Sequence, residues 1–201
     1  MAREANYDTS KLVVPGHGTL LVSVQENADP FDIKSFMLGD DSSYPSTKWM
    51  PFALTSKENT FAFTKDGGDE TVLDVWEFDG VDSSTESTTN GFTINAASMQ
   101  KSVWEMAYGG GEYNNTLKAY AEKEVVPVVK SAMVIFAHGG KRAGAYMRKV
   151  KITAGDAPEI ATDNFFETQL KGTILTPEDM TWGKRLWFDA RPYEAAVVVG
   201  V

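Results

Sequence analysis

Apolar residues along most of this chain recur at every second position, the spacing of strands rather than helices. In Gly16 to Val24 (GHGTLLVSV), Leu20, Val22 and Val24 fall on one side and Leu21 and Ser23 on the other. That alternation predicts a strand with one strongly apolar face. Gln25 to Tyr44 is irregular, punctuated by Asp29-Pro30, Gly39-Asp40-Asp41 and Tyr44-Pro45. Connections this long inside a compact domain are uncommon and often functional. Short apolar pieces follow at Trp49 to Phe52 and Phe61 to Phe63, and Asp66-Gly67-Gly68-Asp69 predicts a tight turn.

From Thr71 to Phe78, Val72, Asp74, Trp76 and Phe78 alternate with Leu73, Val75 and Glu77. Apolar groups on both sides predict an interior strand in which Asp74 and Glu77 must reach water or a partner. Gly80 to Asn90 is rich in Ser and Thr, with Val81 its sole apolar anchor, and predicts an exposed, mobile loop. Phe92 to Ile94 resumes extended structure. Asn95 then fits the N-cap of a helix whose buried side holds Ala96, Met99, Val103, Met106 and Ala107. Lys101 and Glu105 pair four apart on its outer side, and Gly109-Gly110-Gly111 ends it in a left-handed cap.

Glu112 to Lys123 fits either a second helix or a strand with a loop, and Pro127 argues against a helix running on through it. Ala132 to Ala137 predicts a buried strand and His138 to Gly144 a hairpin loop. Tyr146, Arg148, Val150 and Ile152 alternate with Met147, Lys149 and Lys151, giving a strand with one basic face. Thr153 to Asp163 is a connection. Phe166, Leu170 and Ile174 then line one side of a strand, with Glu167, Gln169 and Lys171 opposite. The chain ends in AAVVVGV, a hazard if left in water, and is expected to pair with a sheet or another subunit. Many short strands and one clear helix predict a mainly β domain of sandwich or barrel-like form.

Composition narrows the uses of such a fold. At 201 residues the chain is long enough for one core, here divided into an N-terminal arm (1–11), a β domain (12–182) and a C-terminal arm (183–201). Its net charge of −9 disfavours nucleic acid, whose phosphates need clustered cations. There is no cysteine, no apolar run near the ~20 residues of a membrane span, and no apolar h-region in MAREANYDTSK. A non-secreted protein without disulfides or thiolate metal sites is expected.

Catalytic and cofactor chemistry finds little support. His17 and His138 lie beside glycines in turn-like contexts, and no serine sits in a G-x-S-x-G motif. Ala137 to Arg142 fails as a phosphate loop, because Ile135 occupies the place of the first glycine and Arg142 that of Ser or Thr. Asp40-Asp41 and Asp66 to Glu70 do not match a calcium loop. Neither a cofactor nor a metal is expected. Charge is segregated, however. Asp66 to Glu86 holds eight acidic residues and no Lys or Arg; Lys141 to Lys151 holds five basic residues and no acid. These are either two solvated faces, or complementary surfaces that set subunit register, or an acidic face that lines a channel.

Five segments together resemble the major tail protein, or tail tube protein, family of long-tailed (siphovirus) bacteriophages, especially those of actinobacteria. They are GHGTLLVSV, KWMPFALTSKEN, TKDGGDETVLDVWEFDG, FTINAASMQKSVWEMAYGGG and PEIATDNFFETQLKGTIL, and in order and spacing they cover most of residues 16–175. The resemblance implies a β-sandwich with a flanking helix, assembled as stacked hexameric rings into a tube through which DNA passes without specific binding. It implies an acidic lumen, for which Asp74 and Glu77 are candidates. Residues 25–46 and 187–201 are the stacking candidates. The inter-subunit candidates are Lys141, Arg142, Arg148, Lys149, Lys151, Trp187, Phe188 and Tyr193. Implied partners are the chain itself and the tape measure, tail terminator and distal tail proteins, in the virion tail and, during assembly, in the host cytoplasm. A β-sandwich module binding carbohydrate or a host surface is the alternative, and a hydrolase with paired carboxylates a third reading.

Overall fold

The computed structural model of the chain describes residues 9–195, which form twelve strands, one α-helix and three short 3-10 turns. The longest strand, β10 (Lys141–Ala154), organises the rest. β9 (Val128–His138) pairs antiparallel along one edge, joined to it by the Gly139-Gly140 turn. The other edge is divided. β12 (Arg185–Pro192) takes Lys141 to Met147, and β11 (Thr168–Ile174) takes Val150 to Ala154. β1 (His17–Ser23) and β2 (Trp49–Pro51) extend the sheet beyond β9. β6 (Thr89–Ala96) and β3 (Ala62–Asp66) extend it beyond β11. Mainly β architecture with a single helix matches the sequence expectation.

The handover on β10 falls at a register shift between Met147 and Val150. Such a bulge inserts residues into the ladder and turns the following side chains over. Ala145 and Met147 therefore share the inner core with Val150 and Ile152, while Tyr146 faces the opposite core. The unbroken alternation expected from Tyr146 to Ile152 is corrected here: Tyr146 and Val150 lie on opposite faces.

The inner core gathers Leu20 and Val22 of β1, Phe92 and Ile94 of β6, Ala132 and Val134 of β9, and Leu170 of β11. Leu20, Ile94, Ile152 and Leu170 meet around one point with Phe52 and with Met106 of the helix, so the two ends of the sheet face each other as a sandwich. Helix α1 (Lys101–Tyr108) closes it with Val103, Met106 and Ala107. The outer core lies on the reverse of β1, β9 and β10. There the connection after β1 lays Ala28, Ile33, Phe36 and Tyr44 over Leu21, Met133, Ile135 and Tyr146. Both faces of β1 are thus buried, not the single face its alternation suggested.

The helix begins later than expected. Asn95 pairs with Gln169 in the ladder and its amide donates to Glu167 Oε2 at 3.0 Å, so it cannot act as an N-cap. Gln100 occupies that position, Ala96 belongs to β6, and Met99 is exposed. Lys101 and Glu105 do pair, at 3.6 Å. Gly109 ends the helix with φ 61° and ψ −65°, and the Gly110 N–H reaches Tyr108 O at 2.6 Å. That is a γ-turn of positive φ, not the expected left-handed cap. Glu112 to Lys123 resolves into a small hairpin of β7 (Glu112–Asn114) and β8 (Ala119–Ala121).

Candidate assembly surfaces

The most conspicuous surface is a hairpin, where the sequence predicted an interior strand and a loop. β4 (Glu70–Val75) reverses at Trp76-Glu77 into β5 (Phe78–Thr85), and among the described residues the two pair only with each other. Every residue from Glu70 to Thr85 is exposed. The two-sided apolar pattern suggested burial on both faces, but among the described residues nothing covers the hairpin. No glycine or asparagine marks the reversal, so the sequence reads as continuous strand. Instead Gly80 takes φ 68° beside the register shift that lets the hairpin close, and its N–H donates to Asp74 Oδ1 at 2.6 Å. Of the two lumen candidates, Asp74 therefore holds the hairpin's own backbone. Glu77 sits in the turn beside Trp76, which is 99% exposed.

The basic block on β10 is largely committed within the chain. Arg142 is buried; its Nε donates to Phe36 O at 2.6 Å and its guanidinium stacks over the Tyr193 ring at 4.7 Å. Arg148 leaves the bulge to pair with Asp29 at 2.7 Å and Asp179 at 2.9 Å. Lys141 donates to Leu12 O, and Lys149 lies 3.9 Å from Glu178. Lys151 is exposed. Hydrogen bonding from Arg148 and Trp182, opposed by desolvation, holds the Asp29 carboxyl below its ordinary range. Hydrogen bonds from Thr181 do the same for Asp179, with the Arg148 charge adding to them.

On β12, Trp187 is more than half exposed and packs at a tilt of 59° against Phe63, with Arg185 over both rings. Phe188 is turned inward against the outer core, and the Tyr193 N–H donates to Gly140 O. Of the tail from Gly183, residues 185–192 thus form a strand of the chain's own sheet. The apolar stretch 196–201 lies outside the described residues. The connection 25–46, a stacking candidate, packs its apolar side chains onto the outer core and leaves Met37 and Leu38 partly exposed.

Sequence reasoning missed a second polar cluster. Glu167 accepts from the amides of Asn59 and Asn95 at 2.7 and 3.0 Å. Partial burial would raise its carboxyl, but hydrogen bonds from Ser56, Asn95 and Asn59 outweigh that and hold it below its usual value. Alternation placed Glu167 on the outer side of its strand, but no spacing signal links it to Asn59. Among the described residues no three His, Cys, Asp or Glu side chains are placed to hold a metal ion, and no helix is long and apolar enough to cross a membrane.

A folded-over β-sheet closed by one helix, with a projecting hairpin, defines a structural β domain whose unsatisfied surface lies on that arm. A family model for phage tail tube proteins matches residues 5–191, and the chain belongs to that family. It is a structural component of the phage tail, not an enzyme; self-assembly and contact with other tail proteins follow from that membership. No curated protein matches the chain.

Proposed function

We propose that the chain polymerises as hexameric rings stacked into the tail tube of a siphovirus, and that the DNA genome passes through this tube during ejection. The observation that carries this reading is the family match over residues 5–191. An acidic chain suits the role: with a net charge of −9, like-charge repulsion keeps DNA from adhering to the wall. Glu77, and Asp74 behind it, are the lumen candidates. Lys149, Lys151 and Trp187 are the inter-subunit candidates most open to a neighbour, whereas Arg142, Arg148, Phe188 and Tyr193 act on the subunit's own fold before any contact. Tape measure, tail terminator and distal tail proteins are the proposed further partners. The domain division into arms at 1–11 and 183–201 belongs to the same proposal.

Negative-stain electron microscopy of the purified protein across a range of salt and protein concentrations is the test. Rings of six subunits, or tubes built from them, are expected. Compact monomers under every condition would overturn the reading.

A further inference from the structure

Among the described residues the hairpin is an apolar arm without a cover. Leu73, Val75 and the cross-strand neighbour Phe78 share one face, Val72 lies on the other, and Trp76 caps the tip. A two-stranded hairpin alone in water is marginally stable at best. Burying a tryptophan removes about 150–250 Å² from water, and Phe78 adds a comparable area. Those two rings alone make a large part of the roughly 800 Å² per partner of a standard interface.

A matching hole opens elsewhere in the same subunit. Between β1, β9 and the segment before β3 lies a cleft of about 400 Å³. Its floor is Leu20, Ile94, Val134 and Phe136, and its rim carries Lys57 and His17. Among the described residues no carboxylate lines it, although the chain has 28 acidic residues. The hairpin from Glu70 to Thr85 carries five acids and no cation. The acid-free, apolar-floored cleft is therefore the complement of the acidic, apolar-tipped arm.

Position decides whether one chain can satisfy itself. The hairpin leaves the sheet where Asp66 of β3 pairs with Thr89 of β6. The cleft opens at the other end of the same two strands, beyond the Ala62–Thr93 pair, at Thr60, Phe61 and Ile94. Knob and hole thus sit at opposite ends of one strand pair. A contact between copies through them is head-to-tail, and heterologous contacts of that kind propagate into rings or filaments rather than closing a two-fold dimer.

We propose that the Trp76 tip of one copy seats in the Leu20–Ile94–Phe136 cleft of the next, with Lys57 of the receiving copy facing the carboxylates of the incoming hairpin. This contact is the step by which subunits join. It rests on the tail tube reading and deepens it by naming the two surfaces that meet; it also moves Glu77, beside Trp76 in the turn, from the lumen into the contact.

The chain has no cysteine, so single cysteines report cleanly. Trp76→Cys protein is mixed with Leu38→Cys protein; Leu38 lines the cleft and is partly exposed. Under mild oxidation a disulfide-linked pair is expected at a yield at least ten times that of Trp76→Cys with Thr116→Cys, a site on another hairpin loop. Equal yields, or a better yield with Lys184→Cys at the root of the hairpin, would overturn the cleft as the receptor. In parallel, Trp76→Ala is expected to keep the wild-type melting temperature, because the side chain touches solvent, while assembly needs at least tenfold more protein. Trp76→Ala that still forms tubes like wild type would sink this inference and leave the tail tube reading standing. Wild type that never assembles, with the cross-link still specific, would do the reverse.

Discussion

The Arg148 guanidinium lies 2.7 Å from the Asp29 carboxylate and 2.9 Å from that of Asp179, with its side chain largely out of water. Asp29 belongs to the long connection after β1 and Asp179 to the connection between β11 and β12. One cation placed at the β10 bulge therefore ties two loops, distant in sequence, to the strand where β11 gives way to β12. The Ser131 hydroxyl supports the same point by donating to Arg148 O at 2.7 Å, and the Tyr146 hydroxyl by donating to Ala28 O at 3.0 Å.

Arg148→Met keeps the aliphatic stem and removes both ion pairs. Both carboxylates are more than half exposed, so each pair is worth little more than a surface bridge, and a loss of about 1–2 kcal/mol is expected. At this chain length that lowers the melting temperature by about 2–4 °C per kcal/mol. Thermal unfolding followed by circular dichroism checks it; an unchanged midpoint would show the bridges to be ornamental.

The same residues set an acid limit. In the folded chain Asp29 and Asp179 titrate below the ordinary aspartate range, so folding favours their charged forms. Their contribution is complete above pH ~4 and disappears as pH falls through the lowered folded values. Urea melts at neutral pH and in the acid range should show wild type losing more stability than Arg148→Met. Parallel loss in both proteins would contradict the assignment.

Tyrosines give an alkaline signature. Burial first, then its hydrogen bond to Asp41 and the nearby Asp40 charge, push Tyr44 up to about 12. Burial also raises Tyr108 and Tyr146. A raised value means the folded state holds the proton more tightly, so this stability is intact below pH 10 and lost as pH rises toward 12. Near-ultraviolet titration should show Tyr44, Tyr108 and Tyr146 ionising late, and Tyr44→Phe should remove one of these late steps.

Gly109 is expected to tolerate no side chain. Its φ of 61° is strained for any L-residue, and an added Cβ would fall within 1.8 Å of Val126 O. Gly109→Ala should cost about 2–4 kcal/mol, combining backbone strain with displacement of the 124–128 segment. Gly139→Ala is the control, since its positive φ faces open space and only the strain remains. Equal losses in the two variants would rule out the Val126 clash as a cause.

Charge reversal tests the basic edge without touching its buried members. Lys149→Glu combined with Lys151→Glu should leave folding nearly intact and weaken subunit association, more strongly at low salt than at high. Sedimentation velocity over a salt series reads the effect, and a salt-independent loss would point to a packing fault.

Much of the fold was legible because strands with one or two buried faces write their burial into period two. β1, β9 and β11 could be read that way. What alternation cannot show is a change of phase: the bulge after Met147 moved Val150 to the opposite face from Tyr146, and no glycine or proline announced it. Nor can alternation say who covers a face. Val72, Leu73, Val75 and Phe78 look like a core strand, yet among the described residues they have no covering partner. Charge blocks proved equally ambiguous, since Arg142 and Arg148 sit in a basic run but serve internal carbonyls and carboxylates. Glu167 with Asn59 and Asn95 was invisible, because the three meet only after β6 and β11 pair.

The pairing of β1 with β9 has a consequence for the order of events in the cell. β1 leaves the ribosome well before its partner β9, and its buried faces wait for a strand made only after the whole hairpin and helix region has been translated. At roughly 5–20 residues per second, that interval is on the order of ten seconds. Pairings so distant in sequence also slow the search for the native topology. The nascent chain therefore carries an open, apolar β edge throughout that interval, and its yield in an expression host should respond to translation speed and to chaperone supply before it responds to any surface substitution.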